Sequence, residues 1–366
     1  MMAEELIKPW DLDGTLDDDS YVPSYIEEMA KNVMTHYDLT VRSYVVMATK
    51  ADKGGLIWKI ETDKGPFSLK VLHRRPTRSL FSLGAQAYLV EEKKARVPPI
   101  YKTKTGEDFV EAGGKLWFVA EWIALEEASA DLEGAKKLCG GLGEFHRLSK
   151  GYEPPYGAEK PSRLYRWPRK YEKMIKKMSW FRDLTTAYSE MPASSIILSV
   201  VDKFEQQAIQ ALEQLNESRY SELIKKGDKE WGLVHQDYGW ANGQLGPGGV
   251  WLIDLDGVAY DLPIRDLRKL ITNQMEELGK WDVEWIKGMI EAYHETNPID
   301  EDLYHLLLID MSLPNEFYLQ VKDMVYEPTS FLDEEVKMTV EHIIALEETK
   351  WPVLKELQEW KGAITS

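Results

Sequence analysis

From Tyr37 to Val71 apolar and polar residues alternate in short runs, VRSYVVMATK, LIWKIET and PFSLKVLH. A period of two with turn residues between the runs predicts an antiparallel meander. The turns fall at Asp52-Lys53-Gly54-Gly55 and Asp63-Lys64-Gly65, whose glycines supply the positive-φ positions that hairpins need. From Ser79 to about Glu92 the period changes, with Leu80, Leu83, Ala87 and Val90 spaced by three and four, which predicts a helix. DFVEA and LWFVAEWI, separated by Gly113-Gly114, predict a further hairpin. The first ~125 residues thus read as a sheet of about five strands with one helix inserted after the third. Beyond Glu126 the pattern is helical, beginning with a stripe of Leu132, Ala135, Leu138, Cys139, Leu142, Phe145 and His146. Further helices are predicted over Pro168–Trp180, Ser195–Lys225, Val283–Thr296, Asp300–Leu308 and Glu334–Trp360. Only WGLVHQDYGWANGQLGPGGVWLIDLDGVAYDLPI, Trp231 to Ile264, departs from it, with two short apolar strands around loops packed with His, Asp and Asn. The expectation is a bilobal α+β architecture: an extension and helix over 1–36, a β-rich lobe over 37–121, and a helical lobe over 122–366 carrying the loop cluster at 231–266. The cleft between two such lobes is a common place for a ligand.

Composition narrows the function classes. A chain of 366 residues, 43% hydrophobic, with 13 Trp and 18 Tyr and ordinary Gly and Pro, is neither collagen-like nor disordered. No repeat of fixed period occurs, which argues against solenoids and propellers. A net charge of −17 argues against a general nucleic-acid or anionic-membrane binder, because the phosphate field would repel most of the surface. The same charge would steer a cationic small molecule inward, or simply serve solubility. A single cysteine, Cys139, excludes an intrachain disulfide and any multi-cysteine metal site. The beginning MMAEELIKPWDLDGTLDDD is acidic where a secretory or transit segment would be basic, and no uncharged apolar run approaches the ~18 residues of a membrane span. The expectation is a soluble intracellular protein.

The candidate chemistry sits in the irregular region. His235-Gln236-Asp237-Tyr238-Gly239-Trp240-Ala241-Asn242 is followed by Val250-Trp251-Leu252-Ile253-Asp254-Leu255-Asp256. An Asp at the start of a loop can take the proton of an attacking hydroxyl. An Asn five residues on can turn back as a metal ligand, and an Asp at the end of the next strand can bind the same Mg²⁺. A few hard oxygen donors are what Mg²⁺ takes when phosphate oxygens and water complete its octahedron. No G-x-G-x-x-G and no G-x-x-x-x-G-K-[ST] occurs, which excludes a Rossmann or Walker-type nucleotide site. No H-E-x-x-H or H-x-x-E-H occurs among the 7 His, which leaves a metal-dependent hydrolase with little support.

The order H-x-D-x-x-x-x-N then I-D-x-D resembles the catalytic and metal-binding loops of the aminoglycoside phosphotransferase and choline kinase group, which has the protein-kinase-like fold. Within that group HQDYGxxN…IDLDxVxYDLPIRDLRKL is most similar to the CotS-type spore coat proteins of Bacillus-like bacteria, and the resemblance covers nearly all of the chain from Tyr37 onward. It implies a small β-rich N-lobe, a larger helical C-lobe, ATP and Mg²⁺ as cofactors, and phosphoryl transfer to a hydroxyl of a small molecule or glycan. By the same resemblance Asp237 is the catalytic base and Asn242 and Asp254 hold the metal. Lys70, near the end of FSLKVL, grips the α and β phosphates, and Gly54-Gly55 belong to the phosphate-covering loop. Backbone groups of Glu121 and Ile123 would meet the adenine edge, and Asp266, the second acid of D-x-x-x-x-D-L, braces the catalytic loop. It also implies synthesis in the mother-cell cytoplasm, deposition in the spore coat, and other coat proteins as partners.

Some positions keep two readings. His235 and His146 read as structural histidines rather than as the base. Asp256 reads either as a second metal-site acid or as a substrate contact. The stretch SRLYRWPRKYEKMIKKMSWFR, Ser162 to Arg182, reads as a solvated amphipathic helix face or as a surface for a sugar or an anionic polymer. One departure bears on activity. The helix after the third strand should carry a glutamate that pairs with Lys70, yet SLFSLGAQAYLVEE has only Gly84 and Gln86 at its middle, with Glu91 and Glu92 near its end. A catalytically weak or inactive structural component of the coat is therefore the alternative expectation.

Overall fold

A computed structural model describes residues 22–50, 55–326 and 334–360. In chain order the elements are α1 (Ser24–Met34), β1 (Val41–Lys50), β2 (Gly55–Thr62), β3 (Gly65–Val71), α2 (Pro76–Glu91), β4 (Ile100–Tyr101), β5 (Val110–Ala112), β6 (Lys115–Glu121), α3 (Leu132–Ser149), α4 (Trp167–Ala187) and α5 (Ser194–Glu217). They continue with α6 (Tyr220–Leu223), α7 (Asp228–Trp231), β7 (Leu233–Val234), β8 (Gly243–Gly246), β9 (Gly249–Leu252), β10 (Ala259–Tyr260), α8 (Ile264–Leu278), α9 (Val283–Thr296), α10 (Glu301–Ser312), α11 (Asn315–Tyr326) and α12 (Glu334–Glu359). Two compact units result. The first runs through Ala128 and takes in Gly151–Pro161 and Trp240–Ala259; the second comprises Ser129–Lys150, Ser162–Gly239 and the chain from Tyr260.

The first unit is built on a 6-stranded antiparallel sheet, ordered β1-β2-β3-β6-β4 with β5 beside β6. Alternation sorts each strand between two faces. Leu56, Trp58 and Ile60 of β2 and Phe67 and Leu69 of β3 join Val33, Met34 and Tyr37 in one core, where Trp58 and Trp117 stack with ring centroids 5.8 Å apart. Leu116, Phe118 and Ala120 of β6 point to the other face and join Leu72 and Leu83, the latter from α2. Because β6 has neighbours on both edges and cores on both faces, its continuous apolar run is what a central strand requires. The two-residue strand β4 makes a sixth where about five were expected; too short to show an alternation, it is held by Ile100 and Tyr101 opposite Ala120 and Val119. Helix α2 begins three residues before the expected Ser79, because Pro76 supplies a preset φ where no N–H partner is needed.

The second unit is mainly helical. Helix α3 packs on α9 and α4 on α5. A Cβ at Gly143 would lie 2.2 Å from Thr296 Oγ1 and 2.8 Å from Tyr293 O, so the glycine-rich stretch CGGLG lets α3 and α9 approach closely. Helices α8 and α11 lay outside the expected set. Helix α8 carries a regular apolar stripe, Ile264, Leu267, Leu270, Ile271 and Met275, with Asp266, Arg268, Thr272 and Gln274 buried beside it; its first turn falls inside the 231–266 region read as motif loops. Among the described residues no helix is long and apolar enough to cross a membrane.

Candidate functional site

In the first unit, antiparallel pairing places Lys70 opposite Phe118, on the sheet face that carries α2. The hairpin β8–β9 brings the second part of the motif together. Gly243 pairs with Leu252, and Ile253 N donates to Asn242 O (3.0 Å), so Asn242 and Asp254 stand beside each other although twelve positions separate them. Pro247 and Gly248, the latter at φ 82°, make the two-residue turn between the paired Gly246 and Gly249 that closes this register. Glu126 exchanges backbone bonds with Leu245, and Leu252 N donates to Arg96 O (2.9 Å) while Arg96 Nε donates to Val250 O (3.1 Å), which fixes the hairpin within the unit.

Lys70 Nζ donates to Asp254 Oδ1 at 2.6 Å and to Asp256 Oδ1 at 2.8 Å. Asp254 has left-handed backbone, φ 57° and ψ 59°, a conformation that costs an L residue on the order of 1–2 kcal/mol and that aims its carboxylate at Lys70. Asp256 sits in the short 3-10 turn Leu255–Gly257, with His73 Nδ1 3.6 Å from its other oxygen. Burial works against charge on all of these groups. It depresses the Lys70 ammonium, but Asp256 and Asp254 more than reverse this and hold its pKa above the usual lysine value. Burial likewise raises the Asp256 carboxyl, and Lys70 with His73 brings it below the usual range. These carboxylates already bind one cation, an ammonium. Asn242, whose backbone carbonyl accepts from Ile253 N, is the neighbouring motif residue; carboxylate and amide oxygens are the hard donors that Mg²⁺ takes.

The second unit carries the other motif. Asp237 follows β7, its side chain is 70% exposed, and Lys269 Nζ lies 3.4 Å away. Lys269 also donates to Gln236 O (2.8 Å), and Gln236 itself is at φ 73°. Beneath this loop Asp266, in the first turn of α8, accepts the backbone N–H groups of His235 and, at 3.0 Å, Gln236. His146 Nε2 lies 3.3 Å from the same carboxylate, and His146 Nδ1 lies 2.7 Å from Tyr293 Oη. Burial alone would raise the Asp266 pKa, but the hydrogen bond from His146 and the two imidazoles hold it below the usual carboxylate range. Burial pushes the His146 pKa down more than Asp266 pulls it up. His235 is fully buried, with its ring edge-on to Phe145 and Tyr238.

Of the other candidates, Glu121 ends β6 and its N–H donates to Pro99 O at 2.9 Å; Ile123 lies two residues beyond, half-buried. Gly55 begins β2 opposite Lys50, and Gly54 lies outside the described residues. Arg166, just before α4, and Arg169, Lys170, Lys173 and Lys176 on it are exposed, while Lys177 is buried against Tyr326 and Tyr318. Sequence reasoning missed Lys269, Arg78 and His73. Lys269 was findable, being one helical turn from Asp266 and so on the same face. Arg78 and His73 carried no signal: a lone Arg in a first helical turn reads as solvated, yet Arg78 is 8% exposed and donates to the carbonyls of Gly257 and Val258.

Comparison with solved structures bears on the fold. An aminoglycoside phosphotransferase from Alicyclobacillus acidocaldarius superposes with a TM-score of 0.72 at 16% identity, covering 94% of this chain and 98% of that one. The chain has the kinase-like fold of the aminoglycoside phosphotransferases. An amicoumacin kinase in complex with AMP-PNP, Ca²⁺ and Ami gives a TM-score of 0.61 at 16% identity, over 92% of this chain and 97% of that one. A spectinomycin phosphotransferase in complex with ADP and spectinomycin gives 0.56 at 13%, over 91% and 98%. In sequence the chain is similar to spore coat protein S of Bacillus subtilis (strain 168), 28% identical over 341 residues, which is 93% of this chain and 96% of that protein. No protein-family model matches the chain.

Proposed function

We propose that the protein is a kinase-like phosphotransferase associated with the spore coat, transferring the γ-phosphoryl group of ATP to a hydroxyl of a small molecule or glycan. The observation that carries this reading is the buried cluster in which the Lys70 ammonium meets Asp254 and Asp256 beside Asn242. A lysine held by acids is a phosphate-gripping charge, and the neighbouring oxygens are cation ligands. Asn242 and Asp254 would hold Mg²⁺, which when bound neutralises charge on the phosphates. Lys70 positions the α and β phosphates. Asp237, exposed at the loop, accepts the proton of the acceptor hydroxyl as the new oxygen–phosphorus bond forms and the bond to the β-phosphate bridging oxygen breaks. Gln236 and His235, pinned through their N–H groups by Asp266, keep Asp237 in place. The fold likeness to phosphotransferases and the similarity to spore coat protein S support the two halves of the reading.

The test is a thermal shift with Mg²⁺ and ATP, followed by ³²P transfer to candidate amines, sugars and spore-wall glycans. No shift with Mg²⁺-ATP sinks the nucleotide claim. A second reading is favoured by one observation: among its buried residues α2 offers Lys70 no carboxylate. On that reading the protein is a coat component that keeps the fold without fast catalysis. An Asp237→Asn strain that assembles a normal coat would favour it, whereas a coat defect at unaltered protein level and incorporation would count against it.

A further inference from the structure

The face of α2 turned into the first unit buries Arg78, Ser79, Phe81, Ser82, Leu83, Ala85, Gln86 and Leu89, none of them acidic. Gln86 spends its amide Nε2 on Pro98 O at 2.8 Å. The polar contribution of α2 to the site is instead Arg78, whose guanidinium donates to Val258 O and, at 3.2 Å, to Gly257 O. That grip closes the C-terminal end of the 3-10 turn Leu255–Gly257, in which Asp256 lies.

The acids on Lys70 are not equivalent. Asp254, 21% exposed in its side chain, follows the end of β9 and stands beside Asn242. Asp256, 9% exposed, is enclosed between Lys70 at 2.8 Å and His73 at 3.6 Å, on a turn whose carbonyls α2 holds through Arg78. A lysine on a flexible four-carbon stem is a defined phosphate ligand only when a fixed anion limits its rotamers, and its ammonium has three donors to distribute. One goes to Asp256 and one to Asp254.

We infer that Asp256 is the positioning residue for Lys70, a fixed counter-charge supplied by the turn after β9 and braced by Arg78 and His73, in place of a carboxylate on α2. Asp254 and Asn242 are thereby left to face a divalent cation. The inference rests on the phosphotransferase reading for the nature of the anion that Lys70 meets. It separates the acids of the I-D-x-D motif into a metal-facing one and a lysine-holding one.

The experiment is isothermal titration calorimetry of ATP, once in EDTA and once across a Mg²⁺ series, with wild type, Lys70→Met, Asp256→Asn, Asp256→Glu, the double variant Lys70→Met/Asp256→Asn, and Asp254→Ala. Asp256→Asn is expected to weaken ATP about tenfold with and without Mg²⁺, as Lys70→Met does, with the double variant no weaker than either single one. Asp256→Glu regains part of the loss, and the Mg²⁺ concentration at half effect moves in Asp254→Ala but not in Asp256→Asn. A loss in Asp256→Asn confined to the Mg²⁺ series, full additivity with Lys70→Met, or no loss overturns the inference while leaving the phosphotransferase reading standing. Absence of ATP binding by the wild type overturns that reading and the inference with it. Should Asp256→Asn fail to fold, Arg78→Lys and His73→Gln leave both acids in place and are expected to give a smaller loss that again vanishes in the Lys70→Met background.

Discussion

Replacing Asp266 by Ala tests how the candidate catalytic loop is held. The carboxylate accepts the backbone N–H groups of His235 and Gln236 and meets the His146 ring, and it is 2% exposed. Its removal takes the acceptor from the buried N–H of His235, at about 1–3 kcal/mol, and from the part-buried N–H of Gln236 at less, so the expected loss is roughly 1–4 kcal/mol. Urea denaturation at pH 7 with matched m-values measures the loss, and amide hydrogen exchange at His235 and Gln236 locates it. Asp266→Asn keeps one acceptor oxygen and is expected to lose less. A destabilisation under 1 kcal/mol, or unchanged exchange at these amides, would show that the carboxylate does not hold the loop.

Further expectations follow from other sites. Burial pushes the Asp261 carboxyl up to about 7, although Trp167 Nε1 and Leu262 N both donate to its Oδ1 at 2.8 Å. A raised carboxyl pKa means that the folded state binds the extra proton, so this group's contribution to stability is lost as pH rises from about 4 to 7. Asp261→Asn, which keeps the Oδ1 acceptor, should gain on wild type over that window by at most about 4 kcal/mol, and a difference independent of pH in urea titrations would refute it. Gly84→Ala would ordinarily favour helix α2 by up to ~1 kcal/mol, but its Cβ would lie 2.6 Å from Pro155 Cδ and 2.8 Å from Tyr152 Oη. A net loss of about 1–3 kcal/mol is therefore expected in thermal melts, and a rise in Tm would count against the close approach. Asp237→Asn is expected to abolish phosphoryl transfer to an accepted hydroxyl while leaving Tm within a degree or two, since the side chain is 70% exposed; retained transfer excludes it as the base.

Much of the fold was legible because its signals are local. The β2–β3 turn at Gly65, the Gly113-Gly114 turn before β6 and the apolar stripe of α3 are written within a few residues of each other. Helix α9 spans Val283–Thr296, the range its periodicity predicts, because Asp282 caps it by accepting from Glu284 N and Trp285 N. The elements that escaped differ in kind: β4 is too short to show an alternation, whereas the regular apolar stripe of α8 begins inside the region read as motif loops. For the site, the spacing of Asp237, Asn242, Asp254 and Asp256 was visible as a motif. That Lys269 stands beside Asp237, and that Arg78 grips the turn carrying Asp256, was not.

The sequence by itself determined most strands and helices and the order of the candidate motif residues, since propensity, periodicity and turn residues act over a few positions. Only the tertiary structure decided how those groups are partnered. Lys70 meets acids 184 and 186 positions away, across the sheet and the β8–β9 hairpin, while the helix that follows it closely in sequence contributes no carboxylate. A buried ammonium must be paired wherever the packed chain brings an acid, and contacts closed over such separations are set by the register of strands and the approach of helices, which no local pattern encodes.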